Sequence, residues 1–264
     1  MNFHIFKIRC ITNLHVGSGD INYNVVDKEV EKDITGLPMI HASGIKGALL
    51  KHFKDQKMDE NLINYIFGAK GNGGGSNPGA YRFMDARLLA RPMRADKGSS
   101  PCVNVTSESM LQDFLNDIAD FGGKAVKVKV PDLDFGHDNG RKEFLAISSD
   151  IGVEGCATGT LTPENKTEAK WIGNLIGENF AFAQDMNAYD LPIIARNYLE
   201  NGKSSNLWYE EFVPRGSVFY MVILTPTDVC ELNFKDQVIQ IGGNASVGYG
   251  FTKIEEIAYG ALQA

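Results

Sequence analysis

The chain has 264 residues, 43% of them hydrophobic and 22% charged, so it carries enough apolar material for its own core and is neither a disordered tail nor a collagen-like repeat. Its formal net charge of −7 excludes a global positive field, and any polyanion must be met by local cations or by backbone N–H groups.

Residues Asn2 to Thr12 alternate Phe6, Ile8 and Cys10 with Lys7 and Arg9, the period-two pattern of a strand with one buried face. The same mixture excludes a secretory leader or a membrane span at the N-terminus, and a cytoplasmic protein is expected. Gly17-Ser18-Gly19 ends the pattern. The polar stretch Asp20 to Asp33, with Asp20, Asp27, Glu29, Glu31 and Asp33, reads as an exposed loop with room for a short hairpin. Ser43 is placed to cap a helix beginning at Gly44, in which Ile45, Leu49 and Phe53 share a face and Lys46 falls in the first turn. Lys46, Lys51, Lys54 and Lys57, interrupted only by Asp55, form a local basic strip; such a run serves a solvated helix face as readily as a phosphate contact.

Gly68 to Gly79, rich in Gly, Asn and Ser, predicts a flexible insertion tip. A second amphipathic helix is expected from Ser107 to Phe121, with Met110, Leu111, Phe114, Leu115 and Ile118 on one side and Gly122-Gly123 at its end. Lys124 to Val130 alternates valines with Lys127 and Lys129 and predicts a basic edge strand, where lysine protects the edge as readily as it touches RNA. Thr162-Pro163 opens a further helix with Trp171, Ile172, Leu175 and Ile176 inward. Ser217 to Thr225 reads as a central strand, Phe234 to Ile241 as a short helix and Gly250 to Ile257 as the last strand. Strands and helices interleave without regular βα units, which predicts an α+β fold with helices on one face of a sheet and no internal repeat. Cys10, Cys102, Cys156 and Cys230 lie far apart, without a Cys-x-x-Cys pair or a histidine at metal-ligand spacing, which argues against a zinc knuckle, and reduced, buried thiols are expected.

Two glycine-spaced segments, Thr35 to Gly47 and Ile241 to Phe251, put glycines and small side chains at element ends, where backbone N–H groups can approach an anion without interference from Cβ. Lys46 is followed by Gly47, so the first is no Walker loop. The second runs from helix through glycine loop to strand, the reverse of a dinucleotide fold. Either segment alone is equally a steric turn. For catalysis the chain offers His15, Asp27 and the pair Glu210-Glu211: histidine moves protons near neutral pH, and a carboxylate holds a divalent cation or orients an attacking oxygen. Their spacing does not fix a geometry, and a loop acid is most often simply solvated.

Taken together, the runs Leu14–Asp20, Gly36–Gly47, Phe83–Arg94, Trp208–Pro214 and Ile239–Gly250, in this order, resemble the RAMP superfamily of CRISPR-associated proteins. Within it the resemblance is to the backbone subunit of type III-B effectors, the fourth subunit of the Cmr complex. It implies a single domain with a ferredoxin-like, RRM-related palm, a helical insertion and a protruding thumb, with insertions at about 68–79 and 120–215. It further implies copies stacked head-to-tail on a guide RNA beside other Cmr subunits, and an endoribonuclease that cuts complementary target RNA at regular intervals with a divalent cation, Mg2+ or Mn2+. By the same resemblance Asp27 takes the acidic loop position on which cleavage depends and is the metal candidate, with His15 and one of Glu210 or Glu211 as helpers. Ser43, Gly44, Lys46 and the loop residues Gly242, Gly243, Asn244, Ser246, Gly248 and Gly250 take positions that touch the guide backbone. His41 and Leu50 stand where the family often has proline and arginine, and Lys51 is expected to compensate. A guide-binding scaffold without cleavage, a repeat-RNA-processing relative and the equivalent type III-A subunit are the alternatives; the Phe83–Arg94 and Trp208–Pro214 runs and the chain length favour type III-B.

Overall fold

The computed structural model describes residues 1–19, 26–70, 76–122, 126–136 and 140–262. In chain order the strands and helices are β1 (Asn2–Cys10), β2 (Met39–Ile40), α1 (Ala42–Asp55), α2 (Glu60–Phe67), β3 (Gly68–Lys70), β4 (Ser76–Pro78), β5 (Arg82–Phe83), β6 (Ala86–Lys97), β7 (Cys102–Thr106), α3 (Glu108–Gly122) and β8 (Phe144–Ala146). They continue with β9 (Gly152–Val153), β10 (Thr158–Thr160), α4 (Pro163–Glu168), α5 (Lys170–Ile176), β11 (Phe180–Ala183), β12 (Ile193–Glu200), β13 (Lys203–Glu211), β14 (Val218–Thr225), β15 (Ile239–Gln240) and β16 (Phe251–Glu256).

One mixed sheet runs β10-β8-β11-β7-β6-β14-β1-β16-β15, with β2, β5 and β9 attached at β6 and β14. The expected central strand is central: β14 pairs antiparallel with β1 from Asn2↔Thr225 to Arg9↔Val218, and with β6 on its other edge. Its side chains alternate between two cores. Phe219, Met221 and Ile223 pack with Ile45, Leu49 and Phe53 of α1 and with α2, whereas Val218 and Tyr220 pack with Phe114 of α3 and Ile172 of α5. Helices therefore cover both faces rather than the single face expected, because a strand apolar on both sides must bury both; each large side chain so buried contributes roughly 1.5–3 kcal/mol. Tyr220 brings a hydroxyl into the second core, where it donates to Asp117 Oδ2 at 2.8 Å, and burial pushes that phenol well above its usual range.

Several local expectations are corrected. Helix α1 starts at Ala42, and Ser43 lies inside its first turn; the Ala42 N–H donates at 2.6 Å to Asp85 Oδ1, so a carboxylate 43 residues away takes the capping role assigned to Ser43. At the ends of the expected flexible tip, Gly68 opens the β3–β4 hairpin and Gly79 follows it, where a Cβ would stand 2.2 Å from Ile66 O; residues 71–75, the centre of that tip, lie outside the described residues. Residues 126–130 form no strand. Val126, Val128 and Val130 lean on the second core and Trp171 Nε1 donates to Lys129 O at 3.1 Å, so the alternation records one-sided burial without a ladder.

The expected helix at Phe234–Ile241 is also absent. Asn233 Oδ1 accepts the Lys235 N–H, Asp236 takes φ 58°, and Phe234 inserts against Phe6 and Phe53, leaving only β15 as regular structure. Of the cysteines, Cys10 is buried and its thiol pushed up to about 12, Cys156 and Cys230 are half-buried, and Cys102 is exposed, against the expectation that all are covered. Among the described residues no helix is long and apolar enough to cross a membrane.

Candidate nucleic-acid interface

The irregular segment Leu14–Gly17, following β1, is the hub of a set of backbone bonds that reaches the end of the β12–β13 hairpin, the glycine loop and the residue 26–33 segment. Leu14 exchanges N–H···O bonds with Val213 at 2.9 and 2.8 Å, His15 O accepts the Gly243 N–H at 2.9 Å, and Val16 O accepts the Glu31 N–H at 2.8 Å. Glu31 O in turn accepts from Met39 of β2, which leads directly into α1. From the other direction α1 packs on β15, the strand before the glycine loop, and His52 Nε2 lies 2.5 Å from Gln237 Oε1. The two glycine segments are thus linked through the Leu14–Gly17 segment on one side and through the packing of α1 on β15 on the other. Residues 26–33, expected as a loose loop, are part of it: Val30 is buried and Lys28, Val30 and Lys32 form isolated bridges to Glu210, Gly17 and Pro38. Residues 20–25 lie outside the described residues.

Asp27 is exposed at the root of the β12–β13 hairpin. Its Oδ2 accepts the Tyr209 N–H at 2.7 Å, and the Asp27 and Lys28 N–H groups both donate to Tyr209 O at 3.1 Å, so β13 sets its position. His15 is buried, and its Nδ1 lies 2.8 Å from Glu211 O. A carbonyl oxygen only accepts, so Nδ1 donates to it, and in the neutral tautomer it is Nε2 that carries the lone pair. Gly17 leaves that edge of the ring uncovered: a Cβ there would stand 3.0 Å from Nε2.

The Glu210-Glu211 doublet is resolved by strand geometry, which sends adjacent side chains to opposite faces. Glu211 grips the Asp27 segment, its Oε2 accepting the Val30 N–H and its Oε1 the Lys32 ammonium, each at 3.0 Å. Glu210 is fully buried. Its Oε1 accepts from Asn244 Nδ2 and stands 3.8 Å from His15 Nδ1, and its Oε2 lies 3.1 Å from Arg196 Nε. Asn244, expected on the RNA side, therefore turns its amide inward.

The phosphate-contact candidates divide. On α1, Ser43, Gly44, Gly47 and Lys51 are exposed on one side, Lys46 is half-buried, and a Cβ on Gly44 or Gly47 would meet nothing within 4 Å. Lys51 pairs with Asp55 at 2.6 Å, an exposed i,i+4 contact worth only about 0.3–0.5 kcal/mol and easily surrendered to a phosphate. In the glycine loop Gly242, Gly243, Ser246 and Gly248 are exposed, while Gly250 is buried. Sequence reasoning passed over Asp85, Lys28, Arg196 and Tyr249; Lys28 Nζ stands 5.2 Å from the Trp208 ring centroid and the Arg196 guanidinium 4.8 Å over Tyr249.

The sequence profile of the RAMP superfamily matches residues 7–253. The chain belongs to the RAMP superfamily. Among the relatives of this RAMP protein, the CRISPR system Cmr endoribonuclease Cmr4 of Pyrococcus furiosus is 29% identical, with 96% of this chain and 95% of that protein covered. The CRISPR system CMR subunit Cmr4 of Saccharolobus solfataricus is 34% identical, with 94% of each chain covered. Oligomeric Cmr4 from P. furiosus superposes with a TM-score of 0.72 at 24% identity, covering 98% and 99% of the two chains. A chain of the type III-B Cmr-beta complex bound to cognate target RNA also gives a TM-score of 0.72, at 21% identity with 97% of each chain covered, a likeness of fold.

The donors a divalent ion could use are few. The described residues contain no group of three His, Cys, Asp or Glu side chains able to hold a metal, and Asp27 Oδ2 is committed to Tyr209. Among the described residues, then, Asp27 would offer a cation a single carboxylate rather than one member of a cage.

Proposed function

We propose that this RAMP protein is the guide-RNA-binding backbone subunit of a type III-B CRISPR effector, working in the cytoplasm, stacking head-to-tail with copies of itself beside other Cmr subunits, and cutting complementary target RNA at regular intervals. The observation that carries the reading is the backbone hydrogen-bond network through Leu14–Gly17 that links the glycine loop, the residue 26–33 segment and the strand leading into α1, whose Gly44 and Gly47 open outward. An acidic chain holds a polyanion in this way by N–H groups and close approach, which read backbone rather than base sequence and suit any guide. The names of the two relatives support the same activity and assembly. We read the antiparallel core β6-β14-β1-β16 as the ferredoxin-like palm, and the β12–β13 hairpin, with Ile193, Tyr198, Leu199, Leu207 and Tyr209 exposed, as the thumb that interrupts guide–target pairing.

Cleavage on this reading needs a target ribose 2′-hydroxyl in line with its neighbouring phosphate, a geometry imposed when pairing is broken beside the thumb. Asp27, fixed by Tyr209, stands at the thumb root to take the 2′-hydroxyl proton or orient that oxygen; as the 2′-oxygen bonds to phosphorus to give a 2′,3′-cyclic phosphate, the P–O5′ bond breaks and the departing 5′-oxygen takes a proton from water or from His15 once it has been protonated. Cutting is expected to require Mg2+ or Mn2+, recruited chiefly by RNA phosphates. In a complex reconstituted with guide and labelled target, Asp27→Ala should slow cutting by about 100-fold or more while target binding stays within about twofold. Undiminished cutting would reject the catalytic role and leave a guide-binding scaffold; EDTA should abolish the periodic products, and metal-free cutting would reject the cation.

A further inference from the structure

The buried junction between the hairpin and the glycine loop has a feature that packing alone does not require. Arg196 lies in β12 opposite Trp208 of β13, and its guanidinium is placed between Tyr249 and Glu210. Arg196 Nε is 3.1 Å from Glu210 Oε2, yet the contact lies off the N–H direction: Arg196 Nε and Nη2 and Glu210 Oε2 are all buried without a hydrogen-bond partner among the described residues. A buried ion pair with unmet donors is a poor source of stability, since desolvation offsets most of its attraction. A geometric role accounts for its presence.

We infer that Arg196 is a positioning residue for RNA cleavage, an inference that rests on the nuclease reading above. Three links carry it. Arg196 ties the hairpin to the glycine loop twice, through Tyr249 directly and through Glu210, whose other oxygen takes Asn244 Nδ2. Glu210 is flanked in β13 by the two residues that place the reacting groups, Tyr209 holding Asp27 and Glu211 holding His15 Nδ1. Asn244 stands next to Gly243, whose N–H fixes His15 O. The guanidinium thus sets the registry of hairpin root and glycine loop, and with it the relation of Asp27 to His15, without touching RNA.

The test uses the reconstituted complex. Arg196→Gln should lower the single-turnover cutting rate at saturating target by about 10- to 100-fold, with target Kd within about twofold and cut spacing unchanged. Arg196→Lys, which returns a cation to Glu210, should recover about tenfold of that loss. The double variant Arg196→Gln with Glu210→Gln removes both charges and should cut faster than the product of the two single losses. Equal losses of binding and rate, or strictly multiplicative losses without rescue, would reduce Arg196 to ordinary structural support and overturn the inference. Amide exchange supplies the arm independent of activity: Arg196→Gln should speed exchange at Asp27 and Gly243 by about tenfold or more. Unchanged exchange at both defeats the positioning role, whereas a wild-type complex that cuts nothing defeats the nuclease reading instead.

Discussion

The two glycine segments use the missing Cβ in opposite directions. On α1, Gly44 and Gly47 open outward, where an added methyl would meet only solvent. In the loop, Gly242 and Gly250 open inward: at φ 79° and 80° their absent Cβ atoms would stand 2.4 Å from His15 O and 2.0 Å from Ile241 O. The first segment gives stability away, since glycine inside a helix costs about 0.5–1 kcal/mol against alanine, and leaves a smooth outer face that the proposed function gives to an RNA backbone. The second is a structural clamp that seats the loop on His15. A shared composition therefore conceals two jobs, and substitution by alanine separates them.

The largest effect is expected at Gly250. Alanine there combines a left-handed backbone with collision against a carbonyl and should cost about 3 kcal/mol or more, lowering the melting temperature by about 10 °C. A melting point shifted by under about 2 °C would break the inward half of the comparison. Gly17→Ala comes next: a methyl 3.0 Å from His15 Nε2 should cut the cleavage rate about tenfold with guide binding retained, as measured by single-turnover kinetics. Gly47→Ala should move the two observables apart, raising stability by up to about 1 kcal/mol while weakening guide RNA binding by about fivefold to tenfold. Unaltered binding would show that the outward face meets no RNA. Lys51→Ala is the smallest change, about twofold in guide affinity at physiological salt, with the salt slope of binding reduced by about one.

What could be read from the sequence followed from periodicity. The alternation of β1, the apolar run of β14 and the four-residue spacing of Ile45, Leu49 and Phe53 state which face is buried, and those elements stand where expected. The same alternation misled at Val126–Val130, because one-sided burial under α5 imitates half of a sheet edge. The break at Phe234–Ile241 was written in Asn233 and Asp236, a turn signal outweighed by the apolar residues around it. In the site, His15, Asp27 and the glycine loop were named, but the separate tasks of Glu210 and Glu211 were hidden, since adjacent carboxylates differ only once a strand sends them to opposite faces. Asp85 capping α1 and Arg196 facing Glu210 across the hairpin root are contacts between distant segments, which no local pattern encodes.

The proposal that one guide segment meets both glycine segments is tested most directly by photocrosslinking the reconstituted complex with a guide that carries one photoreactive backbone position per subunit, followed by peptide mapping. The account requires crosslinks to residues 41–51 and 242–248 from neighbouring positions of the same guide segment. Crosslinks confined to other surfaces, such as the exposed side of α3, would contradict it.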